Sequence, residues 1–168
     1  PCRYLSHLIG HEGPGSILSC LKTENLANGL SCGLNTDIEN CFGLFRVSID
    51  CTEKGIANIN NVIEIVFTYI SMLKHSTELQ INGTNNWIYN EKKQLSQISW
   101  LFKSKEQPRN YTKYIVNNMN NKECHENNYL IGNYFTHCDS HFNSTLVMNL
   151  LNELTVNNLR IFIAHRSF

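Results

Sequence analysis

The chain has 168 residues, enough for a domain with a hydrophobic core, and its 14 basic and 14 acidic residues give a formal net charge of zero. No block of Lys and Arg favours nucleic acid as a partner, and no apolar run approaches the roughly 20 residues of a membrane span. The seven cysteines are odd in number and widely scattered, which favours free thiols in a reducing compartment and a cytoplasmic location.

Helical patterns open the chain at residues 3–11 and 16–23, and a Gly-Pro-Gly break separates them. Ser16 stands where a side chain can cap the second helix. Residues 26–34 follow as an extended segment that contains glycine. The sequence therefore predicts two short helices that lead directly into a strand.

A clearer strand is predicted over residues 41–51, with one face made by Phe45, Val47, Ile49 and Cys51. Thr52 is expected to cap the helix that follows it. Apolar residues then recur at three- and four-residue spacing, which predicts a long amphipathic helix packed on the strand around residues 45–49. The stripe consists of Ile56, Ile59, Val62, Ile63, Val66, Phe67, Ile70 and Leu73.

Further helices are predicted over residues 87–103, 111–119 after an interruption at Pro108, 128–136 and 144–154. Alternation over residues 159–163 predicts a closing strand. Strands with helices between them indicate an α+β fold in which helices pack on one face of an antiparallel sheet. The chain begins at Pro1 and is helical almost at once, so residues 1–168 are interpreted as a single partial domain, incomplete at its N-terminus, from a longer protein.

Segments in a fixed order along the chain resemble one protein family. They are residues 4–18 (YLSHLIGHEGPGSIL), 49–55 (IDCTEKG), 103–111 (KSKEQPRNY) and 159–168 (LRIFIAHRSF). Together they resemble the second, non-zinc domain of the insulin-degrading-enzyme-like zinc metallopeptidases, the pitrilysin/insulinase family with an inverted zinc motif.

The resemblance implies a longer parent whose homologous α/β domains, the metallopeptidase or processing-peptidase type, enclose a chamber and cleave small peptides. Its catalytic zinc would lie in the first domain on H-x-x-E-H, which this chain lacks, so the chain is expected to bind no metal and to be inactive alone. The expected partners are peptide substrates, the parent's other domains and a second copy of the parent. The alternatives are a non-catalytic homologue that acts as a scaffold or partner subunit, and a decayed gene copy.

The resemblance also implies an exosite that holds the substrate N-terminus away from the zinc. An open strand edge offers unpaired amides and carbonyls to any extended peptide, and Glu12 could pair with the peptide α-ammonium. The family usually has Gly at position 32 and Gln at position 34. An ordinary edge strand is the alternative interpretation. The residues that match the exosite are His7, Gly10, Glu12, Gly13, Leu30, Cys32 and Leu34.

Arg109 lies in a bend where the family often carries two arginines that bind anions within the chamber. Here Gln107 occupies the first position and only Arg109 matches. The resemblance therefore implies at most a weak anion site, and a solvated surface arginine is an equal alternative.

Two groups of possible metal ligands are weighed against chance. His7 and His11 are four residues apart on a helix, but Glu12 follows them in the order H-x-x-x-H-E, on the wrong side to polarise a metal-bound water. A second group matches no common zinc spacing, and we interpret it as coincidental. It comprises Cys124, His125, His137, Cys138 and His141.

Overall fold

The computed structural model describes residues 2–36, 43–81, 87–120, 126, 129–130 and 142–166. Within these residues an antiparallel pair of strands is combined with helices, which confirms the predicted α+β class. The elements in chain order are α1 (Cys2–Ile9), α2 (Ile17–Thr23), β1 (Ala27–Thr36), β2 (Gly43–Cys51), α3 (Glu53–Ala57), α4 (Ile59–Ile81), α5 (Trp87–Leu101), α6 (Pro108–Asn120), α7 (Ser144–Glu153) and a 3-10 turn (Val156–Asn158).

These elements form two compact units. The first unit consists of Pro1–Gly83 and Ser144–Phe168, and it contains α1 to α4, α7 and both strands. The second unit is Thr84–Asn143, with α5 and α6. The expected single partial domain over residues 1–168 stays a prediction. No described helix is both long and apolar enough to cross a membrane.

The core of the first unit lies under α1 and α2. The most fully enclosed side chains of these two helices are Leu5, Ile9, Ile17, Leu18 and Leu21. Ser16 caps α2 as predicted, since its hydroxyl accepts a hydrogen bond of 3.1 Å from the Ser19 amide. Gly15 takes a positive φ of 79°, which other residues adopt only with strain, so the break before α2 depends on glycine there.

A left-handed residue sets the entry into β1. Asn25 has φ 57°, a conformation that Asn tolerates better than most residues, and it ends α2. The Leu26 amide then donates to the Leu21 carbonyl at 2.8 Å, and the Leu26 carbonyl accepts from the Thr52 amide at 3.0 Å. The start of β1 and the end of β2 are thereby fixed to the same turn.

The two strands pair with Leu30 opposite Ile49, Cys32 opposite Val47 and Leu34 opposite Phe45. The predicted face of β2 is confirmed, because Phe45, Val47, Ile49 and Cys51 are half-buried and the residues between them are exposed. Helices α1 and α2 pack against β1, and α3 packs against β2.

Thr52 caps a helix as predicted, but that helix is short. The Thr52 hydroxyl accepts from the Gly55 amide at 3.0 Å, α3 ends at Ala57, and Asn58 interrupts the chain before α4 begins. Gly55 is buried, and a Cβ there would overlap the carbonyl of Leu26, so glycine permits this close approach of α3 to β1.

The apolar stripe of α4 faces the core, but its main neighbours differ from the prediction. Val62, Ile70 and Leu73 are buried, while Val66 and Phe67 are only half-buried. The principal contacts of α4 are with α7 and α2, and not with β2 around residues 45–49 as the sequence suggested. The Tyr69 hydroxyl donates to the Leu8 carbonyl at 3.1 Å and ties α4 to α1.

Two predictions need correction: the start of one helix and the presence of the closing strand. Helix α6 begins at Pro108 and not at Tyr111, because proline fits the first helical position, where its missing amide has no intrahelical partner. Residues 159–165 are irregular and not a strand, because no described strand lies beside them to complete a ladder. The predicted helix over residues 128–136 falls mostly outside the described residues.

Candidate functional site

The candidate site is built from the turn after α1 and from strand β1. The Gly10 amide donates to the Ser6 carbonyl at 2.9 Å and closes α1. In the turn that follows, the Gly13 amide donates to His11 Nδ1 at 3.1 Å, and the Gly13 carbonyl accepts from the Ser16 amide at 3.1 Å. These bonds hold residues 10–15 in a tight turn at the start of α2.

Gly10 lies directly against Cys32 of β1. A Cβ at position 10 would stand 3.4 Å from the Cys32 Cβ and 2.8 Å from the Ser6 carbonyl oxygen. The approach to the Ser6 carbonyl is too short for a real Cβ, so the end of α1 requires glycine here, whereas the distance to Cys32 is ordinary contact. The structure therefore brings Gly10 and Cys32 together, and the exosite interpretation of the turn and the strand stays a prediction.

The side chain of Cys32 is half-buried where β1 meets α1. Burial raises the pKa of its thiol to about 11, and a hydrogen bond with the Ser6 side chain opposes part of this rise. The Ser6 hydroxyl itself donates to the Cys2 carbonyl at 2.8 Å. Cys32 therefore stays a neutral thiol in contact with α1.

The outer edge of β1 is open in the described part of the chain. The sheet has the order β1–β2, so β2 covers one edge of β1 and no other described strand covers the second. In an antiparallel pair alternate residues point their amides and carbonyls away from the partner. Of the remaining predicted residues, Leu30 is half-buried and Leu34 is 40% exposed on this strand.

The other predicted residues are placed less decisively. Glu12 is exposed in the turn, and no described residue forms a hydrogen bond or ion pair with its carboxylate. His7 is half-buried, and its ring meets the His11 ring edge-on with centroids 6.1 Å apart. Arg109 is exposed in the first turn of α6, in the second compact unit.

The described residues do not fit a metal ion. They contain no group of three or more His, Cys, Asp or Glu side chains that could hold one. The His7 and His11 rings meet edge-on, and the group from Cys124 to His141 lies outside the described residues.

Two features escaped the sequence analysis. An open groove of about 470 Å³ runs along the exposed face of the two strands, and its lining includes Ser31, Gly33, Arg46 and Ser48. In the second unit Lys103 Nζ lies 4.6 Å from the Tyr114 ring centroid and 5.2 Å from that of Tyr111. The alternation in β2 does place Arg46 on the outer face, but only the strand register shows what lies opposite.

In the described residues, a short antiparallel sheet packs against two helices, and the open edge of β1 lies beside a glycine-containing turn. A profile of the Peptidase M16 inactive domain matches residues 1–84. The chain belongs to this peptidase family, the insulinase family that the motifs resemble.

Curated relatives match over the whole chain. Insulin-degrading enzyme of Drosophila melanogaster is 36% identical over 168 residues, which are 100% of this chain and 16% of the relative. Insulin-degrading enzyme of Homo sapiens is 34% identical over 168 residues, 100% of this chain and 15% of the relative. The chain thus spans less than a fifth of the length of these relatives.

A solved structure matches the fold. The crystal structure of pitrilysin superimposes with a TM-score of 0.77 at 20% sequence identity, over 93% of this chain and 16% of that chain. At this identity the match concerns the architecture alone.

Proposed function

We propose that this chain is the second, non-zinc domain of a longer zinc metallopeptidase that degrades small peptides. In this role the chain forms part of the chamber wall and holds the leading residues of the substrate on the outer edge of β1. The open edge of β1 beside the Gly10–Cys32 contact is the observation that carries the proposal. Zinc would be held by another domain, and this chain would contribute binding alone.

Strand addition accounts for how such an edge would act. A peptide that pairs with β1 gains main-chain hydrogen bonds whatever its side chains are, so the edge can serve many substrates. Glu12, exposed in the turn, would pair with the peptide α-ammonium. His7, Gly10 and Gly13 would shape the turn, while Leu30, Cys32 and Leu34 would supply the strand.

Location and assembly belong to the same proposal. The described cysteines Cys2, Cys20, Cys32 and Cys51 are all free, which supports a reducing, cytoplasmic environment. The remaining domains of the parent, and a second copy of it, are the proposed partners. Arg109 is proposed as a weak anion contact, because its guanidinium is exposed at the start of α6.

Proline substitutions in β1 of the full-length protein test the edge. Because amides alternate between the two edges, one of Ser31→Pro and Cys32→Pro removes an outward donor, and the other removes a donor to β2. The variant that removes the outward donor, called the outward proline below, should raise KM for long peptides severalfold. Short peptides cannot reach the edge, so their KM should not change. Ser31→Ala, which keeps the amide, is the control. An equal effect on long and short peptides would show that the edge is merely structural.

The role of Glu12 is tested separately. Glu12→Gln should weaken peptides with a free amino terminus more than acetylated ones, since only the free terminus carries the charge that Glu12 would pair. An upstream segment without H-x-x-E-H would instead favour the scaffold homologue, which could still bind peptides but would not cleave them.

A further inference from the structure

The groove on the β1–β2 pair has a mixed polar and apolar lining, and Arg46 is the cation within it. The residues that line it are Ser31, Cys32, Gly33, Leu34 and Asn35 of β1 and Arg46 and Ser48 of β2. The groove is open to solvent, so a ligand there would lie on the surface of the strands and not within an enclosed pocket.

Gly33 lies opposite Arg46 in the ladder. A Cβ at position 33 would meet nothing within 4 Å, so the space above this residue is empty. Cross-strand partners have Cα atoms only about 5 Å apart, and the long arginine side chain can extend beyond its partner when that partner is glycine. The Gly33–Arg46 pair thus leaves an unobstructed path from the guanidinium to the outer edge of β1.

The charge of Arg46 has no carboxylate partner in the described part of the chain. The ion pairs found there join Lys103 to Glu106 and His165 to Glu53. On the same face of β2 the nearest acid along the strand is Asp50, four residues away and about 13 Å distant at the usual strand rise. An exposed guanidinium in this position favours a planar, negatively charged partner, and a carboxylate meets both conditions.

We propose, on the basis of the exosite function above, that Arg46 selects peptides with an acidic side chain at the position that pairs with Gly33. A peptide strand on the outer edge of β1 places one of its side chains in the same row as Gly33 and Arg46. The Asp or Glu carboxylate and the guanidinium meet above the glycine. Because strand side chains alternate between faces, an acid one residue away points to the opposite face and gains nothing.

A peptide scan on the full-length protein tests this selection. A single Glu is moved one residue at a time along the leading part of an otherwise neutral peptide, with Gln at the same position as the reference. Competition with a fluorescent peptide gives each affinity. At the row position Glu should bind about two- to fivefold tighter than Gln, and the adjacent positions should show no preference.

Variants assign the preference to one side chain. Arg46→Gln should abolish the Glu preference, and Arg46→Glu should replace it with a preference for Lys at the same position. Arg160→Gln is the matched control, because Arg160 is exposed in the irregular segment of residues 159–165. The Arg160→Gln variant should keep the same preference for Glu over Gln at the row position.

Failure of the Arg46 role can be distinguished from failure of the exosite. One outcome would overturn the role of Arg46 alone. In it, Arg46→Gln keeps the Glu preference, while the outward proline in β1 still lowers the affinity for every peptide of the scan. A Glu preference of equal size at every position would also overturn it, since that result indicates a general field and not a paired row. Insensitivity to both Arg46→Gln and the outward proline would overturn the exosite as well.

Discussion

In the first compact unit, the apolar side chains of α1 and α2 are enclosed, and Leu5, Ile9 and Leu21 are 0% exposed. In the second unit, α5 has no buried residue and the only buried residue of α6 is Asn118. Large apolar side chains remain exposed there, including Leu101 at 76% and Phe102 at 81%. The first unit thus has a packed core, whereas the described helices of the second unit, α5 and α6, enclose no apolar side chain.

The described residues of the second unit make polar and aromatic contacts. Lys103 lies within cation–π distance of Trp100, Tyr111 and Tyr114, and it pairs with Glu106 at 3.1 Å. The amide of Asn118 donates to the Tyr129 carbonyl at 2.9 Å and holds the turn beyond α6. Periodic apolar residues therefore do not by themselves show which helix carries a core, and the site of the first unit rests on the better-packed framework.

The sharpest test of this difference is one substitution made in both units. Leu21→Ala should lower the free energy of unfolding by about 3 kcal/mol, because a fully enclosed side chain is lost and a cavity is left. Leu95→Ala should cost less than about 1 kcal/mol, because Leu95 is 49% exposed and alanine favours helix. Denaturant titration of the two variants gives both values. Equal losses would show that α5 is as well packed as α2.

A smaller effect is expected at Lys103. Lys103→Met keeps the aliphatic stem but removes the charge from the three rings and from Glu106, which should cost about 1 kcal/mol. Lys105→Met, at an exposed position, is the control and should be nearly neutral. Chemical denaturation followed by tryptophan fluorescence checks both. No loss at Lys103 would mean that the ring cluster does not stabilise the bend.

The smallest effect concerns two thiols of the first unit. The pKa of Cys32 is raised from 9.0 to about 11, so at pH 8 it should present about a hundredfold less thiolate than a thiol with the ordinary value. Exposed Cys20 should therefore react first with iodoacetamide, as followed by mass spectrometry. Because the unfolded thiol ionises at lower pH, Cys32 should favour the fold below pH 9, and that contribution should fall as the pH rises from 9 to 11. Faster alkylation of Cys32 would place its side chain in solvent.

Local patterns predicted much of the first unit. The caps at Ser16 and Thr52 and the alternating face of β2 follow from side-chain chemistry within a few residues, and the structure confirms them. The strand predicted near Ile161 is absent, because alternation marks faces but cannot supply a neighbouring strand.

The groove could not be predicted for a related reason. Arg46 meets Gly33 only through the register of β1 on β2, and an irregularity between Ala27 and Gly29 shifts that register. A one-residue slip would exchange the two faces of the strand. The contact of Gly10 with Cys32 likewise depends on how α1 packs on β1, which no short motif specifies.

Hydrogen exchange at β1 tests the central claim most directly. Amide exchange would be measured across residues 29–35 and across β2 in the full-length protein, with and without a long peptide that has a free amino terminus. Strand addition predicts that the peptide slows exchange at every second amide of β1, those that point away from β2, and leaves the already paired amides unchanged. Protection confined to other parts of the protein, with no change at the outward amides of β1, would contradict the exosite.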